Sequence, residues 1–127
     1  HLIPAILEQL EDGSRTVDLG NLTPARDFIH ATDVAEAIVT LATEFDGDHR
    51  AYNVGTGTEH TVREVVEAVG DALGEPIAIE QDEERVRESD RPHLEPDVSR
   101  MESEFGWSAS LTLTEGLERL LAAEGIA

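Results

Sequence analysis

Arg26-Asp27-Phe28-Ile29-His30 is an extended stretch with a helix directly behind it, and that junction decides how the rest of the chain reads. Asp33 and Glu36 stand three apart, the spacing of an N-terminal capping box, so a helix is predicted to open at Asp33. Val34, Ile38, Leu41 and Phe45 would share its apolar face, and Asp46-Gly47 would stop it. Upstream, Gly20-Asn21-Leu22-Thr23-Pro24 is a loop of turn-forming residues, and residues 16–19 alternate like a short strand. Before them Ile3, Ile6, Leu7 and Leu10 fall on one helical face that runs to the Asp12-Gly13 turn.

Downstream, Ala51-Tyr52-Asn53-Val54 reads as a strand leading into Gly55-Thr56-Gly57. Thr61 and Glu64 form a cleaner capping box, with Val62, Val65, Val66, Val69 and Leu73 as the apolar face behind it and Gly74 as the stop. Residues 77–79 are another short strand. Residues 80–96 turn polar and irregular, as a working surface loop does. Asp97 or Ser99 is expected to cap a short helix through Met101 and Phe105, and Thr114 the last one, with Leu117, Leu120 and Leu121 inward. Strands and helices alternate, so the expected fold is α/β, with short strands and about five helices in a single domain over residues 1–127.

A chain of 127 residues is long enough to bury about two-thirds of its unfolded surface. Its net charge is −19, from 28 acidic residues against nine arginines and no lysine. Such a surface repels nucleic acid and anionic membranes. The acids are spread between regular apolar positions, which fits a folded domain adapted to high salt better than an acidic tail. At molar salt the Debye length is about 3 Å, so self-repulsion is screened, and a halophilic source is expected. With no cysteine there are no disulfides, thiolate metal sites or cysteine nucleophiles. His1, His30, His49, His60 and His93 show no H-x-x-x-H spacing. No run of about 18 apolar residues could span a membrane, and no basic-then-apolar leader opens the chain, so a cytoplasmic protein is expected. The chain opens without Met, inside an apolar-periodic segment, and so reads as a piece of a longer protein.

Two arginines stand in settings suited to an anion. Arg26 follows a Gly/Asn/Pro loop, with Asp27 beside it as a ready ion-pair partner; Arg87 lies in the polar loop with Asp90 three residues on. Guanidinium is a rigid donor fork for phosphate, and a carboxylate can accept from a ribose hydroxyl. Converging, the two arginines would clamp a diphosphate, but sequence spacing does not reveal convergence. Gly55-Thr56-Gly57 lacks the third glycine of a dinucleotide loop, having His60 at that offset, and reads as a turn. Asp33 and Asp97 read as caps and Trp107 as a core anchor. There is no G-x-S-x-G elbow.

The ordered set Leu2-Ile3-Pro4, Leu19 through Pro24 with Ala25-Arg26-Asp27-Phe28-Ile29-His30, Asp33, Tyr52-Asn53-Val54-Gly55, Arg87-x-x-Asp90, Asp97-x-Ser99-Arg100 and Gly106-Trp107 resembles a known family. That family is the extended short-chain dehydrogenase/reductases, the NAD-dependent epimerases and dehydratases of nucleotide sugars, and the match is to their C-terminal, substrate-binding part. The resemblance covers essentially the whole chain and is nearest the 4,6-dehydratase branch. It implies that Arg26 and Arg87 grip the diphosphate, that Asp90 reaches the ribose, that Leu2 and Pro4 flank the base, and that Asn53 lies near the nucleotide. It also implies NAD in a full-length parent, held by an N-terminal Rossmann domain that this chain lacks. The family's catalytic Tyr has its pKa lowered by a Lys four residues on; with one Tyr and no Lys, this piece is expected to be inactive and to bind no cofactor itself. Its expected partners are a nucleotide sugar and the missing domain, with self-association through any apolar surface left uncovered. Two other readings stay open: a stand-alone, non-enzymatic nucleotide-sugar-binding or interaction module, and, with little support, a small Asp/His hydrolase.

Overall fold

Thr61 and Glu64 cap each other: the Glu64 amide donates to Thr61 Oγ1 at 3.1 Å and the Thr61 amide to Glu64 Oε2 at 2.8 Å. This satisfies two of the donors a helix start leaves open. In the computed structural model, which describes residues 1–47, 50–88 and 91–126, the helix so opened is α3 (Val62–Leu73). Ahead of it come α1 (Leu2–Leu10), β1 (Thr16–Leu19), β2 (Ala25–Asp27), α2 (Ala31–Glu44) and β3 (Glu59–Thr61). After it follow β4 (Ala78–Gln81), a single 3-10 turn (Glu83–Arg85), β5 (His93–Leu94), α4 (Ser99–Phe105) and α5 (Leu113–Glu124). The fold is α/β, as expected. No helix among the described residues is long and apolar enough to cross a membrane.

The strands make two small sheets. β1 runs parallel to β4, with Thr16 opposite Ala78 and Leu19 opposite Gln81. β2 lies between β3, antiparallel, and β5, parallel, so Arg26 faces His60 on one side and Leu94 on the other. The main core joins Ile6 and Leu10 of α1, Val17 and Leu19 of β1, and Val65, Val66 and Val69 of α3 to Leu117 of α5. Each such side chain, fully buried, contributes about 1.5–3 kcal/mol. A smaller cluster gathers Ala37, Met101 and Trp107, against which Tyr52, Val54 and Phe105 pack. Trp107 is the core anchor expected of it.

Several local expectations are corrected. α2 is capped three residues earlier than its apparent box: His30 is the cap, its Nδ1 accepting from the Thr32 amide at 3.2 Å. Asp33 is instead turned inward, 2% exposed, where it accepts from Ser110 N and Oγ at 3.2 and 2.8 Å and from Leu111 N at 3.1 Å. Pointing Asp33 and Ala37 inward rotates Ile38 out, leaving it 59% exposed. An unpartnered buried carboxylate would cost more than an exposed isoleucine, so the carboxylate sets the helix's roll. The last helix is capped by Thr112, boxed with Glu115, and not by Thr114. Tyr52 and Val54 do alternate inward, but residues 51–54 join no ladder among the described residues and form no strand.

Candidate functional site

β2 supplies the first two polar groups, and its pleat sends them to opposite faces. Asp27 therefore does not pair with Arg26. Its carboxylate accepts from Thr56 N at 2.9 Å, Thr56 Oγ1 at 2.5 Å and Gly57 N at 2.8 Å. Gly55 has to be glycine here, because a Cβ would stand 2.6 Å from Asp27 Oδ2 and 2.7 Å from Pro96 Cγ. The amides of Thr56 and Gly57 thus already face an anion of the protein itself. The loop bends round Asp27.

Arg26, half-buried on the other face, donates through Nη1 to Ala25 O and to Arg91 O, both at 2.8 Å. The second contact crosses to the polar loop between β4 and β5. That loop is tied at several points to β1, β2 and the connection between them. Asp82 N donates to Leu19 O at 2.8 Å, Gln81 Nε2 to Gly20 O at 3.1 Å, Asn21 Nδ2 to Arg87 O at 2.9 Å, and Ala25 N to Pro92 O at 2.8 Å. Arg87, so far from Arg26 in sequence, is thereby carried on a loop that Arg26 itself fastens. Arg85 in the same loop is neutralised by Asp82 at 3.2 Å, whereas the exposed Arg87 guanidinium has no hydrogen-bonding or ionic partner among the described residues. An unpaired cation is what an incoming diphosphate requires. Asp90, the expected ribose contact, lies outside the described residues, as does His49.

The remaining expected residues are more scattered. Leu2 is half-buried against the main core and Pro4 is exposed on α1. Asn53 is exposed, its Nδ2 donating to Asp97 O at 3.2 Å beside Ser99 and Arg100. Asp97 in turn accepts from the Ser99 amide at 3.0 Å, ahead of α4; the side-chain and backbone hydrogen bonds of Ser99 hold its carboxyl below the usual range. Two residues that the sequence did not single out also shape the site. Asn21 makes the contact to Arg87 just described, and His93 on β5 meets Glu59 on β3 at 2.6 Å across the edge of β2. Asn21 lay within a quoted motif, but no local pattern pairs position 21 with position 87.

A groove of about 490 Å³ lies elsewhere, between α3 and residues 109–114. Glu64, Glu67 and Asp71 line it, and neither Arg26 nor Arg87 does. Three carboxylates make it a poor seat for a diphosphate. Tyr52, the chain's one tyrosine, donates its hydroxyl to Glu104. That hydrogen bond, with some burial and the Glu104 charge, raises its pKa, the wrong direction for a tyrosine base.

The family model described as GDP-mannose 4,6 dehydratase matches residues 1–120. A UDP-glucose 4-epimerase of Corynebacterium glutamicum is 33% identical over 121 residues, 88% of this chain and 36% of that protein. Among solved structures, the UDP-glucose 4-epimerase of Bifidobacterium longum in complex with NAD+ and UDP superposes with a TM-score of 0.80 at 26% identity, covering 99% of this chain and 40% of that one. The dTDP-glucose 4,6-dehydratase of Bacillus anthracis in complex with NAD gives 0.76 at 28% identity, over 96% of this chain and 38% of that one. The chain thus spans little more than a third of the length of these relatives. With residues 1–120 matched and both folds superposing over nearly its whole length, the chain belongs to the GDP-mannose 4,6 dehydratase family, within the extended short-chain dehydrogenase/reductases.

Proposed function

We propose that residues 1–127 are the nucleotide-sugar-binding part of a longer NAD-dependent epimerase or 4,6-dehydratase, with Arg26 and Arg87 gripping the substrate's diphosphate. The observation that carries this reading is that Arg26 itself fastens the loop bearing Arg87 to β2, while the Arg87 guanidinium has no partner among the described residues of a protein of net charge −19. Asp90 accepts from the ribose, Leu2 and Pro4 flank the base, and Asn53 borders the nucleotide. The full-length enzyme would oxidise the sugar at C4 with NAD as hydride acceptor and return that hydride in the step that completes epimerisation or follows dehydration. NAD and the Tyr/Lys pair belong to the part of the enzyme outside this chain. In support, this chain has no lysine, the Thr56 and Gly57 amides serve Asp27, and its tyrosine serves Glu104.

The test is titration of the full-length protein with UDP, dTDP and GDP, and separately with NAD. A charge-assisted hydrogen bond contributes about 1.5–3 kcal/mol, so Arg26→Ala or Arg87→Ala should raise the nucleoside diphosphate Kd about 10- to 150-fold. The Kd for NAD should hardly move. Equal losses for both ligands, or none for either, would defeat the proposal.

A further inference from the structure

No described residue bonds to the Arg87 guanidinium, so what the structure fixes of Arg87 is its main chain. That main chain is anchored at both ends of the loop by backbone hydrogen bonds, Asp82 N to Leu19 O and Ala25 N to Pro92 O. Between these anchors two side chains reach across: Arg26 to the carbonyl of Arg91 and Asn21 to the carbonyl of Arg87. The two loops touch closely here, since a Cβ on Gly20 would lie 2.5 Å from Arg85 O. That approach puts the Arg87 carbonyl within one short side chain of position 21. The carbonyl needs a donor, and the carboxamide of Asn supplies one at 2.9 Å.

We infer that Asn21 is a positioning residue for nucleotide binding, its amide holding the Arg87 main chain so that the guanidinium reaches for the diphosphate from an ordered stretch of loop. The inference rests on the reading that Arg87 grips the diphosphate. Its physical basis is preorganisation: a loop ordered before binding loses less freedom on binding. Asp at this position would keep the shape of Asn, remove the donor, and set a negative charge beside the ligand.

A double-mutant cycle in the full-length protein tests this, with UDP, dTDP and GDP as probes and the tightest of them carried through. Loss of the hydrogen bond to the Arg87 carbonyl makes Asn21→Ala expected to raise Kd about 3- to 10-fold, and Asn21→Asp at least as much. In an Arg87→Ala background the same Asn21→Ala change should alter Kd less than about twofold, because the two act as a unit. The Kd for NAD and the melting temperature should stay near those of the parent, as a merely structural loss would not allow. If Arg87→Ala weakens binding but Asn21→Ala is neutral, or costs the same factor in both backgrounds, the positioning role is wrong and the clamp stands. If Arg87→Ala itself has no effect, the clamp falls and this inference falls with it.

Discussion

The α3–α5 layer and the loop between β4 and β5 are held by opposite means. Val65, Val66 and Val69 meet Leu117 and Leu10 in a core closed to water, and both helices carry reciprocal capping boxes. The loop has one 3-10 turn and a two-residue strand, and its fastenings to β1 and β2 are hydrogen bonds, several onto main-chain carbonyls. A buried aliphatic side chain contributes about 1.5–3 kcal/mol, a neutral hydrogen bond about 0.5–1.5 kcal/mol net. Stability is therefore concentrated in the layer, while Arg87, one arm of the proposed clamp, rides on a weakly tied loop. A binding segment is free to adjust only if the frame beneath it does not depend on it.

That separation can be broken first from the core. Leu10, 1% exposed, should cost about 2–5 kcal/mol of stability as Leu10→Ala, read by denaturant unfolding. Nucleoside diphosphate affinity, measured well below the unfolding midpoint, should remain that of the parent. A matching loss of affinity would mean the loop and the core are one cooperative unit.

Asp33 sits at the joint between α2 and the approach to α5. Burial would raise its pKa, but hydrogen bonds from Leu111 and Ser110, together with the His30 charge, outweigh that and leave it below its ordinary 3.8. A carboxyl lowered on folding stabilises the protein above its ordinary pKa, and that contribution is lost as pH falls through the lower, folded value. Asp33→Asn should cost about 1–3 kcal/mol at neutral pH. It should also flatten the fall of melting temperature with acid below 3.8, the range in which Asp33 titrates. An acid limb of unchanged steepness would assign that sensitivity to other carboxylates.

The smallest effect is expected at the surface. Arg15 pairs with Glu75 between partly exposed side chains, worth about 0.2–1 kcal/mol, so Arg15→Ala should barely lower the melting temperature and should leave nucleotide binding alone. Molar salt should shrink even that difference while raising the melting temperature of the parent, because it screens a net charge of −19. A melting temperature indifferent to salt would remove the proposal that this surface is adapted to high salt.

Legibility followed the range of the forces. Thr61 and Glu64 were readable because both partners of the box lie within one turn, and β1 falls on the alternating residues 16–19 as expected. The same local logic misled where two signals overlapped. Thr112 with Glu115 is the better box than any at Thr114, and His30 took the capping role that Asp33 seemed spaced for. β3 and β5 went unread because three and two residues carry too little alternation, and their identity as strands comes from lying beside β2. Residues 51–54 have the alternation without the neighbour. A strand is a property of two chains side by side, and one sequence shows only one of them.

By itself the sequence determined the α/β class, the apolar faces of α1 and α3, the turn at Gly55-Thr56-Gly57, and the two arginines as candidates. Only the tertiary structure decided what those arginines do with their neighbours. It turned Asp27 away from Arg26 to serve the loop at Thr56, and brought Asn21 to the Arg87 carbonyl across 66 residues. Helix caps and apolar faces repeat at fixed offsets along the chain, so composition and spacing reveal them. A hydrogen bond between distant segments has no such period, because its length depends on the path of the chain between its two ends.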